Sequence, residues 1–160
     1  MANCAQLINC LNSLYLAHEN KFCVTPVWHV FEMYAAHQGG EGVRTIFSAP
    51  QISYDRDGKK ASFWGLKGAA SVRGKDIVLT VVNPDVAAAR DTEIGWRVGR
   101  FKACKVTTLS HTDIHAHNSF EARDMVKPLE SMVGGSAASG RVLRHTFPAA
   151  SVTKLELTLE

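Results

Sequence analysis

The sequence predicts a mainly β protein, an antiparallel β-sandwich preceded by two α-helices, and three observations carry that expectation. Up to about residue 40 the apolar residues recur at helical spacing in two one-sided patterns. After Gly42 the pattern changes to about seven short runs rich in β-branched or aromatic residues, each bounded by glycine, proline, asparagine or aspartate. The chain has 160 residues, 46% apolar and 21% charged, which fits one globular core and neither a disordered nor a fibrous chain.

The first helix is expected from Cys4 to Tyr15, where Cys4, Leu7, Ile8, Leu11, Leu14 and Tyr15 recur at steps of three and four. Asn3 is placed to cap it, with Gln6 answering in a capping-box arrangement. A second helix is expected from Thr25-Pro26. Thr25 stands at the cap, the proline at the first helical position needs no donor, and Val27, Val30, Phe31, Tyr34 and Ala35 share a face. Gly39-Gly40 ends it. Two one-sided helices of this length each require a large apolar partner, so part of this surface is expected to meet another subunit or domain.

The strand runs follow in order as VRTIFSAPQISY, ASFWGLKGAASVR, DIVLTVVN, TEIGWRV, KACKVTTL, RVLRHTF and VTKLELTL. In the last, Leu155, Leu157 and Leu159 alternate with Lys154, Glu156 and Thr158, which gives one dry and one wet face. Asp55-Arg56-Asp57-Gly58 carries Asp-Gly hairpin chemistry, and Asn83-Pro84-Asp85 stops the strand before it. Ser110 to Gly140 reads as one long irregular connection, with a loop tip in its glycine-serine run at Gly134-Gly135-Ser136.

Lysine and arginine exceed aspartate and glutamate by three, and Lys59-Lys60 is the only adjacent basic pair, so no nucleic-acid footprint is expected. The amino-terminal stretch has no basic region before its apolar residues, and Asn9, Asn12 and Ser13 interrupt it. Neither a signal peptide nor a membrane span is expected, and a cytoplasmic location is. Cys4, Cys10, Cys23 and Cys104 form no CxxC pair and read as reduced thiols. No cofactor is implied.

Three kinds of chemistry have candidates. His111, His115 and His117 crowd one loop with Asp113, Glu121 and Asp124, the residue types a transition metal takes, but their spacing matches no two-histidine helix motif and the plain loop reading is preferred. A glycosidase needs two carboxylates about 5 to 9.5 Å apart. Glu32, Glu121 and Asp124 are the candidates, although no convincing pair stands out in the sequence. Trp28, Trp64 and Trp96 are candidates for stacking on sugar rings, weighed against packing in the core. No GxSxG elbow and no P-loop is present.

Four stretches together carry a resemblance. NCAQLINCLNSLYL resembles an NxAQLVNVLQAL-like helix, TPVWHVFEMYAAHQG a TPTYHVFEMYxxHQ-like segment, TDIHAHNSFEARDMVKP a DxxAHNTFxxPxxVxP run, and FPAASVTKLELTL a closing PPxSVxxLxL strand. All four, in this order, resemble the C-terminal part of the α-L-arabinofuranosidases of glycoside hydrolase family 51. The resemblance implies a jelly-roll-like sandwich over residues 43–160, and makes residues 1–40 a helical stump, the last elements of a (β/α)8 barrel. It places the catalytic glutamates on earlier barrel strands absent from this sequence, and puts Thr25 and Trp28 near the edge of the sugar pocket. It also makes His115, His117 and Asn118 residues that fix a loop or its contact with a neighbour.

The function expected from this resemblance is that of a structural, non-catalytic domain. It would associate through its helical surface with a barrel domain or chain, or with further copies of itself, and arabinose-containing oligosaccharides are the sugars in view. The alternatives are a minimal arabinofuranoside hydrolase with an intersubunit site, and a carbohydrate-binding module using Trp64 or Trp96.

Overall fold

The computed structural model describes residues 6–97, 99–101, 103–134 and 138–160. It is mainly β, with antiparallel ladders and one helix among the described residues. Strands β1 (Tyr15–His18) and β2 (Lys21–Val24) form a hairpin, and α1 (Pro26–Ala35) follows. Then come β3 (Glu41–Val43), β4 (Ile52–Arg56), β5 (Lys59–Phe63), β6 (Lys67–Arg73), β7 (Asp76–Asn83), β8 (Arg90–Gly95) and β9 (Ala103–Leu109). The chain closes with β10 (Leu129–Gly134), β11 (Ala138–Ser139), β12 (Val142–Phe147) and β13 (Ser151–Thr158).

The first expected helix does not form over its described part, so the fold has one leading helix and not two. Asn9 and Asn12 take left-handed backbone at φ 52° and 57°, a conformation that asparagine tolerates and a helix cannot contain. The Asn9 side chain accepts from the Ala17 amide at 2.8 Å and donates to its carbonyl at 2.7 Å, copying a strand partner beside β1. Asn9 N donates to Tyr15 O, and Tyr15 N to Leu7 O. These local bonds divert the backbone from helical pairing. Leu14 is buried, whereas Leu7, Ile8 and Leu11 are exposed. Asn3 and Cys4, which the sequence assigns to this helix, lie outside the described residues, as do Gly135 and Ser136.

Helix α1 begins as expected, with Pro26 in its first turn and Thr25 at the cap in extended backbone, but Thr25 caps nothing with its side chain. Its hydroxyl instead donates to Ser13 O at 2.7 Å. The buried face also differs from the expected one: His29 and Met33 are buried, while Phe31 and Tyr34 stay exposed. Met33 packs with Leu109, Val126, Val30, Ala116 and Val152. After the helix, His37 meets Ser71 Oγ through Nδ1 and Thr80 Oγ1 through Nε2, both at 2.7 Å, tying the segment to β6 and β7.

A six-stranded sheet, ordered β10-β9-β13-β7-β6-β3, and a three-stranded sheet, β11-β12-β8, share one apolar core. From the first sheet come Leu79, Val81, Val106 and Leu155, and from the second Leu143 and Phe147. The alternation read in the last strand holds, since Leu155 and Leu157 are buried while Lys154 and Glu156 are only partly covered. Helix α1 therefore lies against the opposite face of the six-stranded sheet, over β9 and β13. Gly68 stands opposite Val81 in the β6–β7 ladder, where a β-carbon would collide with the Thr80 carbonyl, so the position takes only glycine.

Burial holds the His37 imidazole below the ordinary histidine value, with nearby Lys154 acting in the same direction, and burial does the same to His145. A base depressed in the folded state contributes stability above its unfolded pKa, about 6.5, and loses it as pH falls through that value toward the folded one. The urea midpoint should thus drop between about pH 7.5 and 5.5, and the double variant His37→Gln/His145→Gln should flatten the drop. An equal drop in the double variant would assign it to other groups.

Candidate functional site

The sequence-predicted residues fall on three separate parts of the fold. The first is the junction of the β1–β2 hairpin with the start of α1. Here Trp28 Nε1 donates to the Tyr15 hydroxyl at 2.9 Å, and Tyr15 stacks at a tilt on Phe22 with 5.4 Å between rings. Trp28 also stands edge-on to His29 at 5.1 Å. Thr25 and Trp28 are both half-buried in this junction. Tyr15, read in the sequence as one more apolar helix residue, is the partner that fixes the Trp28 indole.

His29 is a residue the sequence did not single out. Its ring is buried and neither nitrogen has a hydrogen-bond partner, the nearest charge being Glu32 Oε2 at 3.6 Å, too far for a hydrogen bond. Glu32 itself is more than half exposed. The only signal in the sequence is position: His29 lies four residues before Met33, on the stripe that faces the sheet.

The second part is the loop from Ser110 to Pro128. Of the candidate carboxylates, Glu121 faces Lys21 at 4.0 Å, Asp124 is exposed on the same loop, and Glu32 lies on α1 beside His29. The histidines shape the loop. His111 Nδ1 accepts from the Asp113 amide at 3.0 Å, Asp113 Oδ1 accepts from the His115 amide at 2.9 Å, and His117 Nδ1 donates to His115 O at 3.1 Å. Among the described residues no group of three or more His, Cys, Asp or Glu side chains is arranged to hold a metal ion. Asn118 is buried and bonds Val126 and Val24. A cavity of about 400 Å³ lies between this loop, Pro26 and the turn after β7, with His111 and Asp113 on its wall.

The third part carries the remaining tryptophans. Trp64 follows β5 at the base of the β4–β5 hairpin and is 40% exposed, edge-on to Phe63, which meets Tyr54. Trp96 packs against the main core, edge-on to Phe101 at 6.2 Å. The thiols of Cys10, Cys23 and Cys104 are free, and burial pushes Cys104 up to about 11. Among the described residues no helix is long and apolar enough to cross a membrane.

Of the seventeen exposed large apolar side chains among the described residues, six lie around the first part and the others are spread from Val43 to Val142. Leu7, Ile8, Leu11, Phe22, Phe31 and Tyr34 all lie in the amino-terminal segment, its hairpin and the outward side of α1. These six fall within 28 consecutive positions.

Comparison with known proteins points the same way. The model of the alpha-L-arabinofuranosidase C-terminal domain matches residues 1–151. An intracellular exo-alpha-L-arabinofuranosidase of Bacteroides ovatus is 29% identical over 98% of the chain, which spans 30% of that protein. The family 51 arabinofuranosidase of Xanthomonas axonopodis pv. citri superposes with a TM-score of 0.83 at 22% identity, over 96% of this chain and 30% of the other. The Thermotoga maritima alpha-L-arabinofuranosidase, solved as an arabinose complex, gives 0.81 at 24% identity over 97% of this chain and 33% of the other. At these identities the two superpositions speak to fold alone.

Proposed function

The chain belongs to the α-L-arabinofuranosidase C-terminal domain family, and from that premise we propose that it is the non-catalytic domain that completes an arabinofuranoside-cleaving enzyme by docking on its catalytic part. The observation that carries this reading is the exposed apolar surface of Leu7, Ile8, Leu11, Phe22, Phe31 and Tyr34, on a chain that spans 30% of its relative's length. In this reading residues 1–40 are the last elements of a (β/α)8 barrel, and residues 43–160 are its jelly-roll-like sandwich. The Thr25 to Trp28 junction then lies at the edge of a sugar pocket whose acid and nucleophile come from the catalytic part. A cytoplasmic location belongs to this proposal too.

The test is to co-express the chain with the preceding two-thirds of the Bacteroides ovatus relative and measure association by light scattering. We expect a complex, and expect Leu11→Asp and Phe31→Asp each to weaken it by at least about tenfold, the cost of burying a charge in an apolar contact. Both side chains are exposed, so the variants should melt like the parent. The chain alone should not cleave p-nitrophenyl α-L-arabinofuranoside. A chain that stays monomeric and unbound in every mixture, or hydrolysis that disappears with Glu32→Gln, would overturn the proposal.

A further inference from the structure

Strands β4 and β5 form a two-stranded sheet of their own, and among the described residues neither of its edges pairs with another strand. None of their residues is buried, and the two strands pack chiefly on each other. Register places Ile52 opposite Phe63, Tyr54 opposite Ala61 and Arg56 opposite Lys59 on one side. Ser53 opposite Ser62 and Asp55 opposite Lys60 take the other side. The contact of Tyr54 with Phe63, rings 5.8 Å apart, follows from that placement, since the two are diagonal neighbours on one side. This side is apolar up to its cationic tip, yet Tyr54 is 44% and Phe63 36% exposed. A lone two-stranded ribbon is marginal in water and needs a third strand or a covering element.

Two features select that cover. The edges differ: β5 carries Lys59 and Lys60, the residue type that keeps an edge from pairing, whereas β4 presents Ile52, Ser53 and Tyr54. β4 is also complementary to itself. Laid antiparallel on a second copy with Tyr54 on the twofold axis, it sets Ser53 opposite the partner's Asp55 and Ile52 opposite the partner's Arg56. Each Ser53 hydroxyl then donates to a carboxylate. Each Arg56 lays its stem along an isoleucine, with its guanidinium within diagonal reach of a tyrosine ring. No like charges stand directly opposite, and the two cationic tips point away from each other. Pairing through β5 would draw Lys59 and Lys60 into the seam instead. A sugar platform does not fit the same side chains: Phe63 stands at 62° to Tyr54 and at 88° to Trp64, so the three rings share no plane.

We propose that β4 pairs antiparallel with β4 of a second copy of this chain, so that two hairpins become one four-stranded sheet. Its apolar side is then continuous, formed by Ile52, Tyr54, Ala61 and Phe63 of both copies. The contact uses the same patch on each copy and therefore closes at two chains. It involves none of the residues of the proposed docking surface and does not rest on that reading. A seam of five residues a side is smaller than a standard interface, so the dimer is weak and forms at high protein concentration.

The experiment is sedimentation equilibrium of the 160-residue chain from about 10 to 500 µM, where a monomer–dimer equilibrium is expected. Ser53→Asp sets a carboxylate against the partner's Asp55 twice over and should weaken the dimer about fivefold or more, while Ser53→Lys should tighten it. Ser53 is exposed, so both variants should melt as the parent does. Register is read by oxidation. Tyr54→Cys faces its own copy and should form an intermolecular disulfide that the parent lacks, and Ser53→Cys should form none. A monomer throughout the range, equal dimerisation of Ser53→Asp and Ser53→Lys, or Ser53→Cys crosslinking as readily as Tyr54→Cys would each overturn the pairing. So would a dimer that Leu11→Asp breaks, or a Tyr54→Lys variant that loses the catalytic part but self-associates as before, which would give the hairpin to that part. Association with the catalytic part is measured separately, so a chain that does not pair through β4 leaves the docking proposal standing.

Discussion

Phe147→Ala should lower the unfolding free energy by about 3–5 kcal/mol, and the melting temperature by roughly 6–20 °C for a chain of this size. Phe147 is 1% exposed at the end of β12, where the three-stranded sheet presses its largest side chain into the shared core. Its ring lies edge-on to His145 at 4.8 Å, and its carbonyl receives the Asn83 side chain at 3.2 Å, so ladder and turn both hold the backbone in place. Such a site collapses little when the ring is removed, and the void remains as lost contact. Phe147→Leu keeps much of the volume and should cost under about 1.5 kcal/mol. Urea unfolding of both variants checks the ranking. Equal, small losses would mean that the two sheets do not close on one core.

The strands were legible where alternation was strong and bounded. DIVLTVVN, KACKVTTL and the closing VTKLELTL are all strands, and the Asp57-Gly58 turn joins β4 to β5 with φ of 52° and 72°, as its residues predict. VRTIFSAPQISY and ASFWGLKGAASVR each read as one run but supply parts of two strands. In the second the break falls at Trp64 to Leu66, around Gly65, where a β-carbon would strike the Pro50 carbonyl. β10 hid inside the long connection because five of its six residues, all but Val133, lie exposed at the sheet edge, where packing imposes no two-residue period. The first helix failed for another reason: a periodicity count treats Asn9 and Asn12 as mere interruptions, whereas their backbone preferences decide the segment.

Local surroundings were legible only where one stretch of sequence contains them. Thr25, Trp28 and Asn118 each lie in a stretch that carries the resemblance, but the Thr25 bond to Ser13 and the Trp28 bond to Tyr15 do not show in it. The loop histidines were weighed as ligands or loop-formers, and their contacts are those of turns. Period-two alternation could say that Phe63 and Trp64 face opposite ways, but not which sheet they would meet, and Trp96 gave no sign that it packs on Phe101. The Asp91–Thr146 and Glu93–Arg144 pairs join positions more than fifty residues apart, and only the register of β8 on β12 brings them together.

Asn118→Ala should destabilise the chain by about 2–4 kcal/mol, more than the removal of a typical surface polar group, because its side chain serves three backbone groups away from water. Nδ2 donates to Val126 O at 3.0 Å and to Val24 O at 3.1 Å, and Oδ1 accepts from Val126 N at 2.7 Å. Alanine leaves those groups without their partner at a buried position. The effect should not stay in the loop. Val126 packs with Met33 of α1 and Leu109 of β9, and Val24 ends the hairpin that carries Phe22, so one side chain ties the loop to both elements of the proposed docking surface. Hydrogen exchange should therefore quicken at Val126 and across β2 together, and association with the catalytic part should weaken in step. Asn118→Asp, which keeps the acceptor but replaces two donated bonds with a buried negative charge, should be at least as damaging. Faster exchange confined to residues 110–128 with an unchanged global midpoint would show instead that the loop opens on its own, and that α1 and the hairpin hold their places without it.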